Sequence, residues 1–350
     1  MKFIKSALVT SVLAAASFGV AANTTINGAG ATFPHPIYAK WAEQYQKETG
    51  VQINYQAIGS GGGIRQITAK TVDFGATDAP LTIEELNKEG MIQFPMVMGA
   101  IVPVVNIPGI DAGEVKLTGK VLADIYLGNI KNWNDPAIAA INEGVELPSQ
   151  PIYVVHRSDG SGTTFNFTEY LDQVSPEWHE QIGVGKDITW PNKATTIGGN
   201  GNAGVANFVN RTRGAIGYVE YAFAKQNNLA YTQMQAHDGD FLMPTMENFQ
   251  SAAANADWEN APGYHLLLNN QPGAHSWPMT AATFILMHKD QADAGKAKEI
   301  VKFFEWSYTQ GKAAEELDYI PMPTKVVNMV NDTWKPVSYT HLTLPTIRWV

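Results

Sequence analysis

Residues 151–173, PIYVVHRSDGSGTTFNFTEYLDQ, decide how the chain is read. Residues 151–155 form a short β-rich run and residues 165–173 a helical one, and between them stand Arg157, Asp159 and Gly160-Ser161-Gly162-Thr163. The segment therefore predicts strand, turn and helix. At such a junction the first helical N–H groups have no partner inside the helix, and glycine lets a ligand approach the backbone. An oxyanion fits there. Arg157 adds a permanently charged fork of donors, Asp159 is spaced to hold that fork in one rotamer, and Ser161 can serve as helix cap and ligand donor. A polar loop with a serine cap explains DGSGT alone equally well; Arg157 beside it favours the anion.

With 350 residues the chain exceeds the ~250 at which single cores stop growing, so two domains are expected. Its 45% apolar and 16% charged content describes a folded protein. Lys2 and Lys5 precede an uncharged apolar stretch over 6–20, and Val20-Ala21-Ala22 offers small residues at a cleavage point, so residues 1–22 read as a secretory signal peptide. Cysteine is absent, which excludes disulfides, thiolate metal sites, a cysteine nucleophile and a lipidated N-terminal cysteine. Without Lys2 and Lys5, 22 basic residues face 33 acidic ones, a formal charge of −11. That balance argues against nucleic acid and anionic membranes as partners, yet local N–H dipoles can still hold a small anion.

Outward from the opening stretch the same arrangement recurs. Residues 28–34, GAGATFP, lie between a short strand and a helix in which Ile37, Trp41 and Tyr45 share a face. Gly59-Ser60-Gly61-Gly62-Gly63 leads from the strand VQINYQAI into a short helix expected over IRQITAK, with more glycine than a turn needs. Asp78, in TDAP, ends another strand before a helix bearing Glu84 and Glu85; an ordinary cap is its bland reading. GGNGNAGVANFVNRT offers one more glycine-to-helix junction. The runs FPMVMGAIVPVVNI (94–107) and WPMTAATFILM (277–287) are apolar for too long to alternate and predict strands buried on both faces. They read as the two connections between lobes, which makes 23–104 plus 277–336 lobe I and 105–276 lobe II. Late helices are expected over 297–317 and 324–334. The threonine-rich apolar tail over 337–350 has no helical period and is expected to pack poorly, as a stretch from another reading frame or an artificial junction would.

The motifs GAGATFP, YAKWAEQYQKETG, DFGATDAP, DGSGT, AIGYVEYA and KQNNLAYT closely resemble the periplasmic phosphate-binding proteins of bacterial phosphate ABC transporters, the PstS family, over about residues 23–334. The resemblance implies an α/β, two-lobed type II periplasmic-binding-protein fold, each lobe a mixed sheet flanked by helices, closing on its ligand in the cleft between lobes. It implies phosphate contacts from Ala31, Thr32, Phe33, Ser60, Asp78, Arg157, Ser161, Gly162 and Thr163, with Asp159 orienting Arg157. It further implies a monomer in the periplasm that delivers inorganic phosphate to membrane permease subunits, with no cofactor, no metal and no catalysis. His156 stands where a second basic residue is expected, and the tail departs from the family.

Residue chemistry agrees with that expectation. Phosphate at neutral pH keeps a proton and sulfate has none, so an ionised Asp78 accepts the phosphate O–H and repels a sulfate oxygen. The main rival is a phosphate-ester hydrolase. Neither serine loop matches GxSxG, because Ile58 and Asp159 stand two residues before Ser60 and Ser161, and the eight histidines show no HExxH. A phosphate-dependent surface interaction protein is the third reading, resting weakly on nine tryptophans, of which Trp133 and Trp190 lie near loops.

Overall fold

The computed structural model describes residues 24–191 and 194–335; the expected leader over 1–22 and the tail over 337–350 lie outside the described residues. Strand and helix alternate from the start: β1 (Thr25–Gly30), α1 (His35–Thr49), β2 (Gln52–Ala57), α2 (Ser60–Thr68), β3 (Phe74–Thr77) and α3 (Ile83–Glu89) lead into the long β4 (Met91–Val105). The middle of the chain holds β5 (Lys116–Leu117), α4 (Gly119–Leu127), α5 (Pro136–Ala139), β6 (Tyr153–Arg157), α6 (Gly162–Val174), α7 (Pro176–Gln181), β7 (Thr196–Gly199), α8 (Gly201–Arg211), β8 (Ala215–Glu220) and α9 (Tyr221–Gln226). After these come β9 (Ala230–Tyr231), β10 (Gln233–Gln235), β11 (Phe241–Leu242), α10 (Met246–Ala253), β12 (Leu268–Asn269), β13 (Met279–His288), α11 (Ala294–Tyr308), α12 (Gly311–Glu315), β14 (Ile320–Pro321) and α13 (Thr324–Thr333).

The main sheet runs β2-β1-β3-β13-β4-β8-β6-β7. β4 is its hinge. Residues 91–100 of β4 pair antiparallel with β13, and residues 101–105 pair antiparallel with β8, so one strand passes from the first half of the molecule into the second. Every residue of β4 and of β13 is buried, as their unbroken apolar runs require. β1, β2 and β3 are mutually parallel in the first half, and β6, β7 and β8 in the second, which aligns the carboxyl ends of several strands in each half. Pro95 sits where the β4–β13 register shifts between Thr283 and Phe284, a place where a missing N–H disturbs the ladder least. The chain returns beside its own crossing: the Trp277 indole N–H donates to Ile101 O at 2.9 Å.

Local signals account for most helices. In α1 the buried face is Ile37, Tyr38, Trp41 and Tyr45, and Gly50 closes it in the left-handed region at φ 78°. Thr82 and Glu85 form a capping box on α3, and Asp135 caps α5 ahead of Pro136. Two expectations change. The glycine run is no loop: α2 begins at Ser60, with Gly61, Gly62 and Gly63 as its first turn. A Cβ on Gly63 would stand 2.5 Å from Gly30 Cα and 2.7 Å from Ala29 O, so glycine is what lets this helix lie against β1. The helix expected over 297–317 divides into α11 and α12, because Thr309 folds its hydroxyl onto Trp306 O and Gly311 restarts the chain after Gln310. α10 packs on β4, β12, β13 and β14, and the Tyr264 and Thr333 hydroxyls share a hydrogen bond of 2.8 Å, so this part of the 105–276 stretch lies on the first half's elements.

Candidate functional site

Four strand ends deliver the singled-out motifs to one place. Thr32 follows β1, Ser60 opens the helix after β2, Asp78 follows β3, and Arg157 ends β6 in the other half, just before the Ser161 cap of α6. All are buried: Thr32 is 7% exposed, Asp78 1%, Arg157 3%, and Ser60, Ser161 and Thr163 0%. The halves touch across this point. Gly61 N donates to Gly160 O at 2.9 Å, and Asn166 Nδ2 donates to Asp78 O at 2.7 Å. A Cβ built on Gly162 would stand 2.5 Å from Ser60 Oγ and 2.7 Å from Asp78 Cβ, and one on Gly59, at φ 86°, would meet Asp159 Oδ2 at 2.3 Å. The glycines at this junction are thus those that let the two backbones meet.

The positive charge is held as the spacing predicts. Arg157 Nε and Nη2 donate to Asp159 Oδ1 and Oδ2 at 2.8 and 2.5 Å, and Nη1 donates to Thr163 Oγ1 at 3.3 Å. Gly201 N adds a bond to Asp159 Oδ1 at 2.9 Å. Burial alone would raise the Asp159 carboxyl, but the bonds and charge of Arg157, with that N–H, hold it below the ordinary range.

Asp78 is the opposite case. Its backbone N donates to Ser60 Oγ at 3.1 Å, yet neither carboxyl oxygen has a hydrogen-bond partner. Burial pushes the carboxyl up to about 7 against the pull of the nearby Thr283 hydroxyl, Arg157 and Ser60. Thr283 lies close without a hydrogen bond of normal geometry, since its own Oγ1 is also unpartnered. A buried carboxyl facing nothing among hydroxyl and guanidinium donors is an acceptor waiting for a donor.

The three residues after β1 play unequal parts. Ala31 N is committed to Ala76 O at 2.9 Å and Ala31 O to the Tyr55 hydroxyl at 2.6 Å, so Ala31 contributes position and no free N–H. Phe33 O accepts from the Tyr319 hydroxyl at 2.6 Å, and its ring packs edge-on to Tyr319. Thr32 supplies the hydroxyl. His156 turns away: its Nδ1 bonds Arg157 O at 2.8 Å, its ring stacks on Trp190, and burial lowers its pKa. Trp190 and Trp133 belong to the core, Trp133 donating to Gly214 O at 3.0 Å. Asp78 caps no helix, since Thr82 holds that position on α3.

Sequence reasoning passed over Asn202. It lies at the start of α8, 0% exposed, and Nδ2 donates to Thr32 Oγ1 at 2.9 Å and Thr163 Oγ1 at 3.2 Å. The glycine-to-helix junction around it was the one available signal. Among the described residues no cluster of three or more His, Asp or Glu could hold a metal, and no helix is long and apolar enough to cross a membrane.

A sheet shared by two halves, with loops from the ends of parallel strands enclosing a buried arginine and a lone carboxyl between them, defines a two-lobed α/β substrate-binding protein, and a family model described as a PBP superfamily domain matches residues 16–310. The chain is 55% identical over 312 residues to the phosphate-binding protein PstS of Pasteurella multocida, covering 89% of this chain and 90% of that one. It is 50% identical over 325 residues to the PstS of Haemophilus influenzae, covering 93% and 96%. The chain belongs to the PstS family of phosphate-binding proteins, a family of binding proteins and not of enzymes. Its fold is that of a solved high affinity periplasmic phosphate-binding protein bound with phosphate, at TM-score 0.70 and 21% identity over 88% of this chain and 93% of that one.

Proposed function

We propose that this protein binds inorganic phosphate between its two lobes in the periplasm and delivers it to a membrane ABC permease. Lobe I comprises 23–104 with 277–336 and lobe II 105–276, with α10 of the latter stretch lodged on lobe I. Thr32, Ser60, Ser161 and Thr163 donate hydroxyls, Arg157 the charge, and Gly162 and Phe33 backbone N–H groups, while Asp159 positions Arg157. Asp78 accepts the proton that phosphate retains.

One observation carries this reading. Asp78 is buried to 1% exposure with both carboxyl oxygens unpartnered, inside a ring of groups that otherwise donate. A ligand that satisfies such a site is a polyanion with one hydrogen to give, which describes monohydrogen phosphate and disfavours sulfate. Leaving a buried carboxylate against an oxygen costs ~1–3 kcal/mol or more, about one to two powers of ten in affinity. Calorimetric titration of phosphate-free protein tests it. Phosphate binds, and sulfate competes only at about ten- to a hundredfold higher concentration; displacement at comparable concentrations would refute the role of Asp78.

A further inference from the structure

The hydrogen bonds around Asn202 leave two hydroxyls no choice of direction. Asn202 Oδ1 accepts from Glu220 N at 2.9 Å, and a backbone N–H can only donate, so the amide orientation is fixed and Nδ2 is the end that faces the cleft. One hydrogen of that Nδ2 goes to Thr32 Oγ1 in the first lobe and the other to Thr163 Oγ1 in the second. Thr32 Oγ1 also accepts from Asn202 N at 3.1 Å, and Thr163 Oγ1 from Arg157 Nη1 at 3.3 Å. A hydroxyl has two lone pairs and one hydrogen. Both oxygens use both lone pairs within the protein, so the hydrogen of each must be donated elsewhere.

We propose that Asn202 is a positioning residue that commits the Thr32 and Thr163 hydroxyls to donate into the cleft and thereby restricts the ligand to an oxyanion unprotonated at the oxygens those hydroxyls meet. The proposal rests on the phosphate reading and deepens it: with these two hydroxyls fixed as donors, a hydrogen on the ligand is met at Asp78 and not at Thr32 or Thr163. Replacing the amide by a carboxylate of the same shape turns the arrangement round, because a carboxylate only accepts and draws both hydroxyl hydrogens away from the ligand.

Phosphate affinity of wild type, Asn202→Ala and Asn202→Asp is measured by calorimetry from pH 8 to pH 5.5, with unfolding midpoints of the phosphate-free proteins alongside. Asn202→Ala, which leaves one acceptor bond on each hydroxyl, weakens binding about tenfold, and Asn202→Asp weakens it about a hundredfold or more at pH 8. Relative to wild type, Asn202→Asp recovers toward Asn202→Ala as pH falls and the new carboxyl gains a hydrogen to donate. Equal affinities and equal pH profiles for the two variants would overturn the proposal, as would wild-type affinity in either. Should Asn202→Asp not fold, a double-mutant cycle decides. On a Thr32→Ala, Thr163→Ala background Asn202→Ala costs nothing further if it acts through those hydroxyls, and additive losses refute it. A wild-type protein that fails to bind phosphate at all sinks the functional reading instead.

Discussion

Replacing Asp78 by asparagine is expected to shift the phosphate-free protein toward its closed arrangement above pH 7. In the structure the carboxyl is buried between lobes with no hydrogen-bond partner and stands at about 7 against an ordinary 3.8. When the lobes part and water enters, the cause of that rise disappears. The raised value means that closure without ligand takes up a proton. Closed-state stability is therefore fully present below about pH 4 and is lost as pH rises through about 7. The span from 3.8 to about 7 corresponds to about 4 kcal/mol at most, or up to about a thousandfold in the ratio of closed to open forms. Asparagine keeps the shape and removes the charge, and Arg157 keeps Asp159 as its counter-ion. Small-angle scattering of phosphate-free protein measures the outcome as radius of gyration. Wild type is more expanded at pH 8 than at pH 5, and Asp78→Asn is equally compact at both. If the variant and wild type expand alike at pH 8, the charge on Asp78 does not hold the lobes apart and the reasoning fails.

Two further substitutions separate closure from folding. Gly162→Ala places a methyl 2.5 Å from Ser60 Oγ and 2.7 Å from Asp78 N, both in the other lobe, so parting the lobes relieves the clash. Phosphate affinity drops by about two powers of ten or more while the thermal midpoint of the phosphate-free protein stays near wild type; an unchanged affinity shows that the lobes do not approach this closely around the ligand. Asp159→Asn removes one charge-assisted bond from Arg157 and weakens phosphate binding about ten- to a hundredfold by calorimetry, with wild-type affinity counting against a positioning role.

Much of this architecture is legible in the chain because its causes are local. An apolar run too long to alternate belongs to a strand covered on both faces, and β4 is buried from end to end. Arg157, two residues before Asp159, makes the bidentate pair that the spacing suggests, since Arg157 ends β6 and Asp159 lies in the bend directly after it. What escapes the sequence depends on distant neighbours. Gly61 to Gly63 read as a loop by propensity, but the missing side chain of Gly63 is what admits α2 onto β1, and the packing outweighs the local preference. The stretch 297–317 keeps its helical period across Thr309, so the break shows only where side chains cap the turn.

Asn202 is the hardest case and the most instructive. Its threonine partner in the first lobe is 170 residues away in the chain, and GGNGNAGVA looks no different from any other glycine junction. Neither residue type nor spacing reveals its importance, which lies in how its amide fills the lone pairs of its neighbours. Pattern can therefore nominate donors for an anion, whereas the direction in which each hydroxyl must point follows only from the full set of bonds around it. In this protein that set meets on one buried amide spanning the cleft.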